Sequence, residues 1–139
     1  MTAIRPTAVA GQFYPAEPGQ LKAQIEHFLS QAERGDGRVP KAVIAPHAGY
    51  VYSGPVAASA YARLLPARGR IRRVVLLGPS HRVGFRGLAL GTAEQWASPL
   101  GPVPIDRAAL ESLKGVPMVG LLDQAHAAEH SLEVHVPFL

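Results

Sequence analysis

Short apolar runs separated by turn-rich polar stretches punctuate the chain, and the period of each run predicts the element it forms. Leu21, Ile25, Phe28 and Leu29 recur at helical spacing and define one buried face. Glu17-Pro18 ahead of them suits a helix start: proline tolerates an early position, and the acid lies near the positive end of the helix dipole. This helix is expected to end before Gly35. Ala42-Val43-Ile44-Ala45 is instead a continuous apolar run, of the length and β-branched content expected of a strand buried on both faces, and Pro46 closes it. A helix is expected from about Pro55 to Leu65, rich in small residues (Ala57, Ala58, Ala60, Ala62) that let it pack close to a sheet, with Ser53-Gly54 opening the helical pattern. Arg73 to Leu77 then reads as a second buried strand. Strand, helix and strand within ~35 residues is the pattern of a right-handed βαβ crossover with parallel strands.

Outside this unit the pattern is finer grained. Arg5 to Pro15 reads as extended, with the aromatic pair Phe13-Tyr14. Leu88 to Leu90 and Val103 to Ile105 read as short strands around a turn-rich segment, Trp96 to Gly101. Asp106 can cap a helix running to about Leu113, and Met118 to Leu122 is a further apolar run. The last segment, HAAEHSLEVHVPFL, places Leu132, Val136 and Leu139 on one helical stripe and Glu129, His130 and Glu133 on another, with Pro137 ending or kinking the helix. His27 falls off its helix's apolar stripe and is expected to be exposed; His135 receives no role. The expected fold is α/β with a mostly parallel sheet, as a single domain over residues 1–139. Two strong parallel strands would leave an apolar edge open, and the chain is expected to be the front part of a larger domain.

Composition narrows the function classes. There is no Cys, which excludes disulfides and Cys-based metal sites within the chain. No apolar run approaches the ~18 residues of a membrane span, and MTAIRPTAVAG lacks the charged-then-apolar order of a signal peptide, so a soluble, cytoplasmic protein with no membrane partner is expected. The 13 prolines and 14 glycines imply many tight turns. A net charge of +4 raises the question of nucleic acid. Its densest cluster, Arg68, Arg70, Arg72 and Arg73, has no interleaved aromatics to stack bases and falls at a helix-to-strand connection, so no nucleic-acid partner is expected.

The sharpest chemistry lies at the ends of the two expected strands. Both lead through proline to histidine, as IAPH and LGPSH, and parallel strands would bring His47 and His81 to one edge of the sheet, where open α/β sheets bind ligands. Two neutral imidazoles supply half of a divalent metal site, and a carboxylate would complete the facial arrangement of non-haem Fe(II) oxygenases. The plain alternative is that each histidine hydrogen-bonds its own loop. A rival centre is His126-Ala-Ala-Glu129-His130, which fits the H-x-x-E-H pattern of inverted zinc peptidases. The blander reading makes Glu129, His130 and Glu133 a polar helix face lining the same crevice.

The motifs AGQFYP, APHAGYVYSG, LLGPSH, SPLGPVPID and EHSLEVHVPFL, in that order, closely resemble the MEMO family, known in prokaryotes as AmmeMemoRadiSam system protein B, from about Arg5 to Leu139. The resemblance implies the fold of LigB-type class III extradiol dioxygenases, an α/β/α sandwich around a non-haem metal site, here incomplete at its carboxyl end. It implies His47 and His81 as metal ligands, with Fe(II) the first expectation, then copper, with zinc behind both. The family's third ligand and general base would belong to the further half of the domain. Phe13, Tyr50, Tyr52, Ser80, Glu129 and His130 are the candidate ligand-binding residues. Two functions remain open. One is a metal-dependent oxidoreductase acting on a small molecule, in company with radical-SAM and AMMECR1-like proteins. The other is a non-catalytic module that uses a vestigial metal pocket to bind a phosphorylated or acidic ligand, or a protein partner.

Overall fold

Helix α1 spans Pro18–Gln31 in the computed structural model, which describes residues 3–139. Met1 and Thr2, the start of the segment read above as lacking a leader, lie outside the described residues. The Glu17-Pro18 start forms as the sequence indicates: the Glu17 carboxylate accepts from the backbone N–H groups of Gly19 (2.9 Å) and Gln20 (2.7 Å), two donors that a helix leaves without partners in its first turn. Leu21 and Ile25 are buried, and His27 is exposed.

Helix α2, Tyr50–Tyr61, packs across α1 and continues into a 3₁₀ turn, Ala62–Ala67. It begins five residues earlier than its alanine pattern indicates, so Tyr50 and Tyr52 lie on the helix rather than in a loop. Ser53 contributes to this start by donating from Oγ to the Ala48 carbonyl, 3.0 Å away. Gly54 makes the helix crossing possible, because a Cβ there would lie 2.3 Å from Phe28 Cε2 on α1.

Strand β1 (Ile4–Arg5) pairs in parallel with β3 (Gln95–Trp96), and β3 pairs antiparallel with β4 (Val103–Pro104). Strand β2 (Leu88–Leu90) pairs in parallel with β5 (Val119–Leu121). Gly87 leads into β2 with a φ of +88°, and a Cβ there would lie 2.0 Å from the Met118 carbonyl oxygen, so this junction admits only glycine. Helix α3, Arg107–Ser112, is capped by Asp106, which accepts from the Ala109 N–H at 2.9 Å. The architecture is mixed α/β with parallel strand pairs. No helix among the described residues is long and apolar enough to cross a membrane.

The two runs expected to form buried strands do not. Residues 42–45 and 73–77 pair with no strand among the described residues, and the crossover they would have framed is not formed. Ile44 is 99% exposed and Val75 80% exposed. An apolar run states what its side chains prefer, whereas a strand also needs a neighbour's N–H and C=O groups, which these segments lack here. The arginine cluster beside the second run is solvated, as expected, with Arg73 paired to Asp106 at 2.6 Å.

The carboxyl segment also departs from one amphipathic helix. A short α4, Gln124–Ala127, is followed by a turn and then a 3₁₀ helix, Glu133–Phe138, with Pro137 inside it. Glu133 therefore does not share a polar face with Glu129. It is 1% exposed, pairs with Arg5 at 2.7 Å, and accepts from Tyr14 Oη (2.8 Å) and the N–H groups of Ala8 (2.8 Å) and Val9 (3.0 Å). Arg5 also donates to the carbonyls of His126 and Glu129 and lies over the Trp96 ring. This network fastens the amino-terminal segment to the carboxyl segment beside a core of Val9, Tyr14, Leu21, Ile25, Tyr50 and Val134.

Candidate metal centre

His47 lies in the irregular segment just before α2, His81 in the loop following the unpaired 73–77 run, and His130 in the turn between α4 and the final 3₁₀ helix. Each offers one ring nitrogen, and these three nitrogens lie within 4.8 Å of one another. The His81 and His130 rings stack with centroids 4.5 Å apart, and His47 stands 5.2 Å from His81 and 5.8 Å from His130. Phe13 packs on the far partner, with its centroid 4.6 Å from that of His130.

Two loops create this convergence. Gly78 lets the 78–81 loop approach the 130–132 turn, since a Cβ there would lie 2.8 Å from Leu132 Cδ2. Ser131 Oγ donates to the Pro79 carbonyl at 2.6 Å. Glu129 completes the junction. Its carboxylate accepts from the His81 backbone N–H (2.5 Å), the His81 ring at Nδ1 (2.8 Å), and the N–H groups of His130 (2.8 Å) and Ser131 (2.9 Å). Burial alone would raise the Glu129 pKa, but these donors reverse that and hold it at about 2. Burial lowers the His130 pKa, and His81, His47 and Arg82 add to this, against the opposing pull of Glu129. The lowered pKa favours the neutral imidazole, the form that ligates metals.

The remaining sequence candidates make contacts of their own. Tyr50 is buried, packed against Tyr14, Phe28 and Phe138, and donates its hydroxyl to the Val134 carbonyl at 2.7 Å; it faces the core. Tyr52 is 83% exposed on α2. Ser80 donates to the Val83 carbonyl at 2.8 Å. The H-x-x-E-H reading dissolves, because His126 stays out of the three-histidine group. Its Nε2 lies 3.0 Å from the Ala89 carbonyl, and its ring meets Trp96 edge-on.

A family model described as Memo-like protein matches residues 5–139. The chain belongs to the Memo-like family. It is 44% identical to the MEMO1 family protein of Methanopyrus kandleri, an alignment covering 97% of this chain and 50% of that protein. The MEMO1 family protein of Methanothermobacter thermautotrophicus is 43% identical, with 98% and 52% covered. Protein MEMO1 of Danio rerio is 42% identical, with 96% and 44% covered. This Memo-like chain thus spans about half the length of these relatives.

Sequence reasoning missed how far the Memo-like chain commits its acids and its last histidine. Glu129 and Glu133 stand in a segment whose other residues are apolar, histidine or serine, and acids are rarely buried unless paired; that context was the available signal for the Arg5 network and for the Glu129 junction. His135, given no role above, is buried, and its Nδ1 has no hydrogen-bond partner among the described residues. Its pKa is lowered by burial and, secondarily, by His47.

Proposed function

We propose that this Memo-like chain binds one divalent metal ion between His47, His81 and His130, Fe(II) by preference, in service of an oxidoreductase reaction of the dioxygenase type. The observation that carries the reading is the approach of three ring nitrogens to within 4.8 Å. Metal–imidazole bonds of about 2.1 Å place neighbouring ligand nitrogens about 3 Å apart, so the cluster has to close by no more than about 2 Å to share an ion. The donor set fits a divalent metal, and the buried Glu129 carboxylate beside it offsets part of the charge. Imidazole suits iron, copper and zinc alike; the preference for iron comes from the resemblance to LigB-type dioxygenases.

Fe(II), when bound, supplies a redox-active centre with positions open to dioxygen and a chelating substrate. The chain's own residues set the surroundings. Phe13 walls one side of His130, while the exposed face of His81 leaves an approach from solvent. Ring-opening dioxygenation of a catechol takes both oxygen atoms of O₂ into the substrate and needs no external reductant. The test is oxygen uptake by the anaerobically Fe(II)-loaded chain on addition of catechols. Uptake lost in His47→Ala supports the reading; iron binding without uptake across a broad catechol panel removes the oxidoreductase and leaves a metal-binding domain.

A second reading draws on Tyr52, whose side chain is 83% exposed: a non-catalytic module for an acidic or phosphorylated ligand. It requires phosphopeptide binding that survives the double variant His47→Ala/His81→Ala and falls in Tyr52→Ala.

A further inference from the structure

We propose that Glu129 is a positioning residue that fixes His81 as its Nδ1–H tautomer and so presents the Nε2 lone pair to the metal. The inference rests on the metal-binding reading and adds to it the nitrogen used and the group that selects it.

An ionised carboxylate such as that of Glu129 is an acceptor only. Both of its oxygens are committed: Oε2 to the His81 backbone N–H at 2.5 Å, and Oε1 to the N–H groups of His130 and Ser131 and to His81 Nδ1 at 2.8 Å. Two acceptors cannot form a hydrogen bond, so the proton of a neutral His81 ring belongs on Nδ1. The lone pair is then left on Nε2, the other side of the ring. Glu129 has little left to offer a substrate, since its carboxylate is enclosed at 6% side-chain exposure and faces four donors.

The same carboxylate grips two of the three imidazoles through their backbones, at His81 and His130. The Ser131 bond to Pro79 and the close approach at Gly78 pin the two loops a second time. Orientation of a ligand imidazole by a carboxylate on its far nitrogen fixes the tautomer and raises ligand basicity; losing such a partner typically lowers metal affinity about 10- to 100-fold.

The test has two readouts. In the metal-free chain, ¹⁵N–¹H correlation spectra of the imidazoles report which nitrogen of His81 carries the proton, with no variant required. The expected result is a protonated Nδ1 and an unprotonated Nε2, shifting toward Nε2–H or a mixture in Glu129→Gln. In the second readout, Co(II) titration, as a spectroscopic stand-in for Fe(II), is expected to show about 10- to 100-fold weaker binding in Glu129→Gln than in the wild type. A wild-type His81 protonated on Nε2 overturns the inference, as does a Glu129→Gln variant with unchanged tautomer and unchanged Co(II) affinity. Failure of the metal reading looks different: His81 is Nδ1–H as expected, yet the wild type binds no Co(II). Ligand presentation then falls with that reading.

Discussion

Arg5 and Glu133, 128 residues apart in sequence, form an ion pair of 2.7 Å that is buried on both sides. Every further partner of the Glu133 carboxylate comes from the amino-terminal segment: the N–H groups of Ala8 and Val9 and the Tyr14 hydroxyl. The pair is therefore the clasp that places the turn carrying Glu129 and His130 against the rest of the fold. Removing one partner of such a pair leaves an uncompensated buried charge and costs about 3–5 kcal/mol. Glu133→Ala and Arg5→Ala are each expected to destabilise by that amount in denaturant unfolding, with the double variant far short of their sum. Tyr14→Phe, which removes one hydrogen bond to a charged group, is expected to cost about 1.5–3 kcal/mol. Additive Arg5 and Glu133 effects would show that the pair is not coupled.

Gly54 sets two effects against each other. Alanine in a helix interior is favoured over glycine by about 1 kcal/mol, but a Cβ here would lie 2.3 Å from the Phe28 ring. Overpacking of this kind costs about 1–3 kcal/mol. Gly54→Ala is expected to destabilise, and Gly54→Ala/Phe28→Leu to recover part of the loss. A stabilised single variant would show that the α1–α2 crossing is looser than its geometry indicates.

Acid is expected to destabilise the fold in two stages. His135 and His130 have folded pKa values below the ordinary 6.5, chiefly because they are buried. The unfolded chain then binds protons that the folded chain refuses, so stability falls as pH drops below about 6.5, by at most about 1.4 kcal/mol per pH unit for each group. His135→Gln is expected to flatten the pH 7 to 5 limb. Glu129, held at about 2 against an ordinary 4.5, acts lower down. Its contribution, of order 3 kcal/mol, is complete above pH 4.5 and lost as pH falls toward 2. Unfolding free energies measured from pH 8 to 2 test both limbs; a flat profile from 7 to 5 contradicts the first.

The exposed runs carry a prediction of the opposite kind. Ile44→Lys and Val75→Lys alter side chains that are 99% and 80% exposed, so each is expected to change stability by no more than about 0.5 kcal/mol. Both should reduce self-association in sedimentation velocity, because charge on an unpaired apolar segment opposes edge-to-edge pairing. A large stability loss would mean these side chains are covered within the chain.

What was legible in the sequence was mostly local. The Glu17-Pro18 cap and the Leu21–Ile25 face of α1 follow from chemistry within a few residues, and they form as read. His47 and His81 were legible as a pair because each follows an apolar run and a proline, and their rings do meet. Yet the parallel strands that would have brought them together are not formed among the described residues. The convergence instead depends on Gly78, Ser131 and Glu129, contacts between loops about 50 residues apart that no periodicity records. Glu133 was misplaced for a related reason. A helical period applied across residues 126–139 ignores the break between α4 and the 3₁₀ helix, and with it the turn that directs this acid to Arg5.

The central claim is that three imidazoles of this chain hold one metal ion, and elemental analysis after anaerobic Fe(II) loading and desalting tests it most directly. The wild type is expected to retain about one iron per chain. His47→Ala/His81→Ala is expected to retain none, and His130→Ala to bind with clearly reduced affinity. Equal iron in the wild type and the double variant, or none in the wild type, would contradict the account.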